Sequence, residues 1–212
     1  MRLIIFGPQG AGKGTQSARI SEKYDIPAVS TGEIFRWAIS GGTALGLKAR
    51  QYVDQGRLVP DEVTIGVVLE RLSADDAKDG FLIDGFPRNL HQAEALDEWL
   101  KKKGAELDAA LAIEVSDEVA LRRLTGRRVC SECGRNYHVD APPQDNWTCD
   151  RCGGKVESRS DDLDVQTMRD RLALYHEQTE PLKAHYAERG LLREIDGIGS
   201  QDGVFDRIVA AI

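Results

Sequence analysis

Short apolar runs alternate along this chain with stretches in which apolar residues return every three or four positions. The runs Arg2–Phe6, Ala28–Val29, Phe81–Asp84, Ala109–Val115 and Leu192–Ile195 are bounded by Gly, Pro or polar residues and read as strands. Between them lie helical periods. In Asn89–Lys103, Leu90, Ala93, Leu96 and Leu100 share one face. Glu118–Leu124 forms another helix, with Ser116 placed to cap it, and Gly203–Ile212 carries Val204, Ile208 and Ile212 at four-residue spacing. This alternation predicts an α/β fold with a parallel sheet flanked by helices.

Two regions interrupt the pattern. Ser30–Val59 is helical and rich in Gly and Arg, and Gly126–Asp162 holds all four cysteines, Pro142-Pro143 and no long apolar period. Both read as insertions at the sheet edge where open α/β sheets bind ligands. No internal repeat or low-complexity segment is present. The start, Met1 to Gly7, has too short an apolar run for a signal peptide, and no stretch approaches the ~18 apolar residues of a membrane span. These features predict a cytoplasmic protein.

The 212 residues suit one domain with insertions, and 41% hydrophobic and 30% charged residues are ordinary for a globular protein. A net charge of -7 argues against broad binding to nucleic acid or anionic lipid. Any phosphate site is therefore a local basic cluster on an acidic body.

Such a cluster begins directly after the first strand. Gly7-Pro8-Gln9-Gly10-Ala11-Gly12-Lys13-Gly14-Thr15 stands between a strand and a helix, the context of a phosphate-binding loop. Its glycines let successive backbone N–H groups face phosphate oxygens, the helix adds its positive end, and Lys13 supplies a mobile cation. Position 14 is glycine, so the hydroxyl arrives one residue late, at Thr15. Downstream, Phe81–Arg88 is an apolar strand ending in Asp84, followed by Gly85, Phe86, Pro87 and Arg88. Asp84 is placed to hold a Mg²⁺ shell, and the Arg88 fork suits phosphate oxygens.

Cys130-x2-Cys133 and Cys149-x2-Cys152 form a structural Zn²⁺ pattern. Four thiolates close a tetrahedral sphere, which makes the ion a staple rather than a catalyst. His138 is an alternative ligand, and iron an alternative metal. The segment has too little apolar content to fold by burial alone, and bound metal supplies the missing stability.

With these pieces in this order, the chain resembles the adenylate kinases in their long-lid bacterial form. The matching segments are Gly7–Gln16, Ser30–Arg36, Gly56–Pro60, Asp84–Gln92, Gly126–Val129, the cysteine quartet and Ile195-Asp196-Gly197. The resemblance implies a nucleoside-phosphate kinase fold. Its core would be residues 1–29, 60–125 and 163–212, its monophosphate-binding arm residues 30–59, and its zinc lid residues 126–162. It implies Mg²⁺-dependent reversible transfer from ATP to AMP giving two ADP, in a monomer that maintains adenine nucleotide balance.

The resemblance also implies roles for residues. Gly10, Ala11, Gly12, Lys13, Gly14, Thr15, Arg123, Arg127, Asn136, Tyr137 and the backbone of Gly199 would contact ATP, with Arg123 against the base and Arg127 against phosphates. Thr31, Arg36, Arg57, Leu58, Val59, Gly85, Phe86, Pro87, Arg88 and Gln92 would hold AMP, together with Arg159 and Arg171. The Gln92 amide both donates and accepts, so it can read an adenine edge. Lys13, Asp84, Arg88, Arg127, Arg159 and Arg171 would serve the transfer itself. Ser30 with Glu33 also reads as a capping box. From Arg159 to Arg171 the chain is one residue longer than the family's usual spacing, at Leu163-Asp164-Val165-Gln166. Two rival readings remain: a kinase for another donor or acceptor base, and a zinc ribbon that binds nucleic acid. Asp140, Asp145 and Asp150 within the ribbon speak against the second.

Overall fold

Every apolar run identified above becomes a strand of one sheet. In the computed structural model, β1 (Arg2–Phe6), β2 (Ala28–Ser30), β3 (Phe81–Asp84), β4 (Ala109–Glu114) and β8 (Leu192–Asp196) pair in the order β2-β3-β1-β4-β8. All four pairings are parallel. A second, antiparallel sheet has the order β6-β5-β7 and consists of β5 (Arg127–Cys130), β6 (Asn136–His138) and β7 (Val156–Ser158). The structure describes residues 1–53, 59–158, 162 and 164–212, with backbone alone for Glu33, Arg36, Trp37, Ser40 and Val53.

The runs are continuous rather than alternating because the parallel sheet is covered on both faces. Leu3 and Ile5 of β1, Leu82, Leu111 and Ile113 face one cluster with Ile20, Val204 and Ile208. Ile4 and Phe6, Ile83, Ala110 and Ala112 face the other, with Val68, Leu96, Leu182 and Tyr186. The first cluster rests on α1 (Lys13–Tyr24) and α9 (Gln201–Ala211). The second rests on α4 (Asp61–Leu72), α5 (Leu90–Lys102) and α8 (Leu182–Glu188). Full burial of each such side chain contributes roughly 1.5–3 kcal/mol, so the hydrophobic term is concentrated in this sandwich.

The helix starts follow from their caps. Asn89 accepts from the Gln92 N–H, Ser116 from that of Val119 in α6 (Asp117–Thr125), and Ser200 from that of Gly203. Asp164 caps α7 (Val165–Leu174) by accepting from the Thr167 N–H.

After β2 the chain forms α2 (Thr31–Ser40) and α3 (Ala44–Val53). Their apolar positions Ile34, Ala38 and Ala49 join the second cluster. The segment predicted as a metal-held insertion is the antiparallel sheet. Its apolar centre is only Cys130, Cys149 and Val156, with Tyr137 and Trp147 against them. Among the described residues no helix is long and apolar enough to cross a membrane.

Candidate active site

The register of β1, β2 and β3 brings Ile5, Ser30 and Asp84 side by side, so the loops that follow these strands share one sheet edge. Backbone geometry decides the first loop. Gly12 caps α1 with φ 99°, and a Cβ on Gly10 would stand 2.6 Å from the Ala120 carbonyl oxygen of α6. Only glycine tolerates both demands without rearrangement. The Lys13 Nζ donates to the Gly7 and Pro8 carbonyls at 2.7 and 2.9 Å, which folds the ammonium back over its own loop.

Charge converges on that ammonium. Burial brings the Lys13 pKa down to about 8; Asp84 opposes this, while Arg88, Arg127 and Arg171 add to it. One lysine and three arginines around a single void form an anion site whose mutual repulsion an added phosphate relieves. Asp84 supplies the hard oxygen donor that a Mg²⁺ ion requires. A Cβ on Gly14 would lie 3.9 Å from the Asp84 Oδ2 and 3.6 Å from the Asn136 Nδ2. A carboxylate from the core and an amide from β6 thus both reach the loop.

Arg127 opens β5 and makes a two-pronged pair with Asp162, Nε to Oδ2 at 2.6 Å and Nη2 to Oδ1 at 2.8 Å. The Arg171 Nη1 lies 3.6 Å from the same Oδ1. The Asp162 side chain is only 2% exposed, so one buried carboxylate gathers both guanidinium groups at the cleft. The Arg123 fork takes a different place. It donates to the Gly197 carbonyl at 3.0 Å and approaches those of Gly10 and Ala11 at 3.5 and 3.4 Å. Arg123 therefore ties the phosphate loop to the turn carrying Gly199. Arg207 holds that turn from the other side, through the Asp196 and Ile198 carbonyls.

These parts enclose a cleft of about 2080 Å³, about twice the upper range of an ordinary small-ligand pocket. Gly10, Ala11, Gly12, Lys13, Gly14, Thr15, Arg123, Arg127, Asn136, Tyr137 and Gly199 line it. Thr31, Asp84, Gly85, Pro87, Arg88 and Arg171 line it too. Phe86 does not, because its side chain is buried in the core. Val59 packs against that core from outside. Gln92 is buried behind Arg88 and does not line the cleft either, its Oε1 accepting from the Arg88 N–H at 2.8 Å and its Nε2 donating to the Asp61 Oδ1 at 2.6 Å. The Arg36 side chain, Arg57, Leu58 and Arg159 lie outside the described residues, as does the Glu33 half of the expected capping box.

The cysteine quartet fits a tetrahedral ion. Tight turns present each pair, with Gly134 N–H bonded to the Cys130 carbonyl and Gly153 N–H to that of Cys149. The Sγ atoms of Cys130, Cys133, Cys149 and Cys152 all lie within 4.8 Å of one another. The Cys130–Cys152 and Cys133–Cys149 separations are 3.5 and 3.6 Å. Zn–S bonds of ~2.3 Å imply tetrahedral edges of about 3.8 Å. The Tyr137 hydroxyl donates to the Cys149 Sγ at 3.3 Å, and this bond brings the thiol pKa down to about 6. A residue expected at the nucleotide thus also touches the cysteine quartet.

Two site features carried no sequence signal. Asp61 opens a helix, where an acid is ordinary on dipole grounds alone. Phe35 lines the cleft from α2 but falls on an apolar period that reads as core.

A sequence model of the family described as adenylate kinase matches residues 5–191. Adenylate kinase from Clostridium tetani strain Massachusetts / E88 is 51% identical over 209 residues, covering 98% of this chain and 96% of the relative. That from Desulfitobacterium hafniense strain DSM 10664 / DCB-2 is 52% identical over 213 residues, covering 100% and 98%. The Archaeoglobus fulgidus enzyme is 49% identical, with the same coverage. With the loop, the arginines and the cleft in the arrangement just described, the chain belongs to the adenylate kinase family, enzymes that interconvert ATP plus AMP and two ADP with Mg²⁺.

Proposed function

We propose that this chain catalyses that exchange in one cleft, with the triphosphate on the loop after β1 and AMP on the side of α2 and Arg88. The observation that carries this reading is the convergence of Lys13, Arg88, Arg127 and Arg171 on one void beside Asp84. A phosphoryl group in transfer spreads charge over its equatorial oxygens, and catalysis consists largely of alignment and neutralisation. Lys13 leaves the Gly7 and Pro8 carbonyls for the β- and γ-phosphates. Arg127 and Arg171, held by Asp162, face the moving group, and Arg88 faces the acceptor phosphate. No side chain accepts the phosphoryl group; an AMP phosphate oxygen attacks the γ-phosphorus directly. Asp84 would hold the Mg²⁺ that accompanies ATP, and that ion would supply charge neutralisation at the donor phosphates.

The family roles of Thr31, Arg36, Arg57, Leu58, Val59, Gly85, Phe86, Pro87 and Gln92 toward AMP, and of Asn136, Tyr137 and Gly199 toward ATP, complete the reading. Arg159 joins the lid arginines. Arg123 acts on the donor side by bracing the Gly10–Ala11 carbonyls as well as by meeting the base. Residues 30–59 and 126–162 work as arm and lid on a core of residues 1–29, 60–125 and 163–212. Their closure excludes water, the rival nucleophile. The quartet holds zinc as a structural ion, and the chain acts as a cytoplasmic monomer.

A coupled assay across donors (ATP, GTP) and acceptors (AMP, GMP, CMP, UMP) tests the assignment. ATP with AMP gives the highest kcat/KM; a higher value for any other pair overturns it.

A further inference from the structure

Beside Arg88 lies a polar cluster whose members have fixed hydrogen-bonding sense. Gln92, 5% exposed, sits between two partners that each play one role. The Arg88 backbone N–H can only donate, and it meets the Gln92 Oε1 at 2.8 Å. The Asp61 carboxylate can only accept, and its Oδ1 meets the Gln92 Nε2 at 2.6 Å. Asp61 is itself held at its other oxygen by the Asn89 Nδ2 at 2.8 Å, with the His91 Nδ1 at 3.3 Å. Burial works against charge on Asp61, yet bonds from Gln92, Asn89 and His91 outweigh it and keep the carboxyl below its ordinary pKa.

An unconstrained glutamine amide can turn over and present either sense to a ligand. Here a reversed amide would set NH₂ against N–H and C=O against a carboxylate, so reversal is blocked. The two bonds leave one Oε1 lone pair and one Nε2 hydrogen. An adenine N1/N6 edge offers an acceptor beside a donor, which this pair complements. A 6-oxopurine offers a carbonyl and an N1–H there, the opposite sense, and meets two mismatches.

We propose that Asp61 is a specificity-determining positioning residue: with the Arg88 N–H it locks the sense of the Gln92 amide, so that the acceptor site takes AMP and rejects 6-oxopurine monophosphates such as IMP. The proposal deepens the reading of Gln92 as the acceptor-base reader and rests on it. A cluster that merely staples α4 to α5 would affect stability, whereas a lock sets the ratio between two acceptors.

The test measures kcat/KM for AMP and for IMP, with ATP as donor, in the parent protein and in Gln92→Leu, Asp61→Asn and Asp61→Ser. Asparagine cannot present an acceptor to Gln92 and to Asn89 together, and serine can donate as readily as accept, so in both variants only the Arg88 N–H still opposes reversal. The AMP-to-IMP ratio falls about tenfold or more in each Asp61 variant, in line with the worth of a two-point match in base discrimination, while the KM for ATP stays at the parent value. Should one Asp61 variant fail to fold, the other carries the same expectation. A parent-like ratio in a folded Asp61 variant, with the ratio collapsed in Gln92→Leu, overturns the lock alone. A parent-like ratio in Gln92→Leu overturns the base-reading role beneath it.

Discussion

Lys13 sits where its own charge is disfavoured. Burial brings its pKa down to about 8, and Arg88, Arg127 and Arg171 contribute against the opposing pull of Asp84. Because the folded value lies below the ordinary lysine value, the charged form costs stability below about pH 8. That cost fades as pH climbs toward the unfolded value of 10.5. Lys13→Met therefore raises the Tm of the ligand-free protein more at pH 7 than at pH 9.5; an equal shift at both, by calorimetry, counts against this picture. The same variant lowers kcat by roughly 10²–10³-fold, as removal of one preorganised donor does. In the parent protein kcat/KM for ATP declines as pH rises past about 8, where free enzyme loses the ammonium. Asp162 is the second residue on which the site depends. Asp162→Asn costs about 1–3 kcal/mol, read as a lower midpoint in urea, and raises the KM for ATP as Arg127 and Arg171 drift apart. The loop glycines, Lys13 and the cysteines were legible from sequence because each belongs to a spaced pattern. Asp61 was not, since a single acid carries no spacing and its role depends on which amide the fold sets opposite; the arginines that Asp162 gathers likewise became visible only in the fold.

At the scale of elements, legibility followed burial. Arg2–Phe6 and Phe81–Asp84 appear as strands with the limits their apolar runs imply, because strands covered on both faces must be apolar throughout. The capped helices at Asn89, Ser116 and Ser200 were nearly as plain. The strands of the cysteine segment were not legible. They are three or four residues long, and their centre is two thiols and a valine with two aromatic neighbours. A metal bound at the quartet would take the place of the hydrophobic period that marks the other strands. One zinc per chain is the expected metal content. Its removal by chelator abolishes hydrogen-exchange protection in residues 127–158 and leaves β1, β3 and β4 protected; uniform loss, or none, contradicts the staple. Tyr137→Phe removes the hydroxyl bonded to the Cys149 Sγ and speeds metal release to a chromogenic chelator, whereas an unchanged rate assigns that hydroxyl no part in the cage.

For the whole molecule, an acidic chain presents one basic cleft wide enough for two nucleotides. The parallel sheet supplies the edge, α2 supplies one wall and the cysteine-bearing sheet the other. A dinucleoside pentaphosphate, which joins donor and acceptor in one molecule, reduces the radius of gyration in solution scattering; an unchanged radius excludes closure of arm and lid. The most direct measurement follows the phosphorus itself. ATP labelled at the γ-position is mixed with AMP, Mg²⁺ and purified protein, and ³¹P spectra or chromatography track the label. Label arriving as the β-phosphate of ADP made from AMP, and lost from that route in Lys13→Met, is the predicted result. Label released as inorganic phosphate, or retained in ATP, would contradict transfer in this cleft.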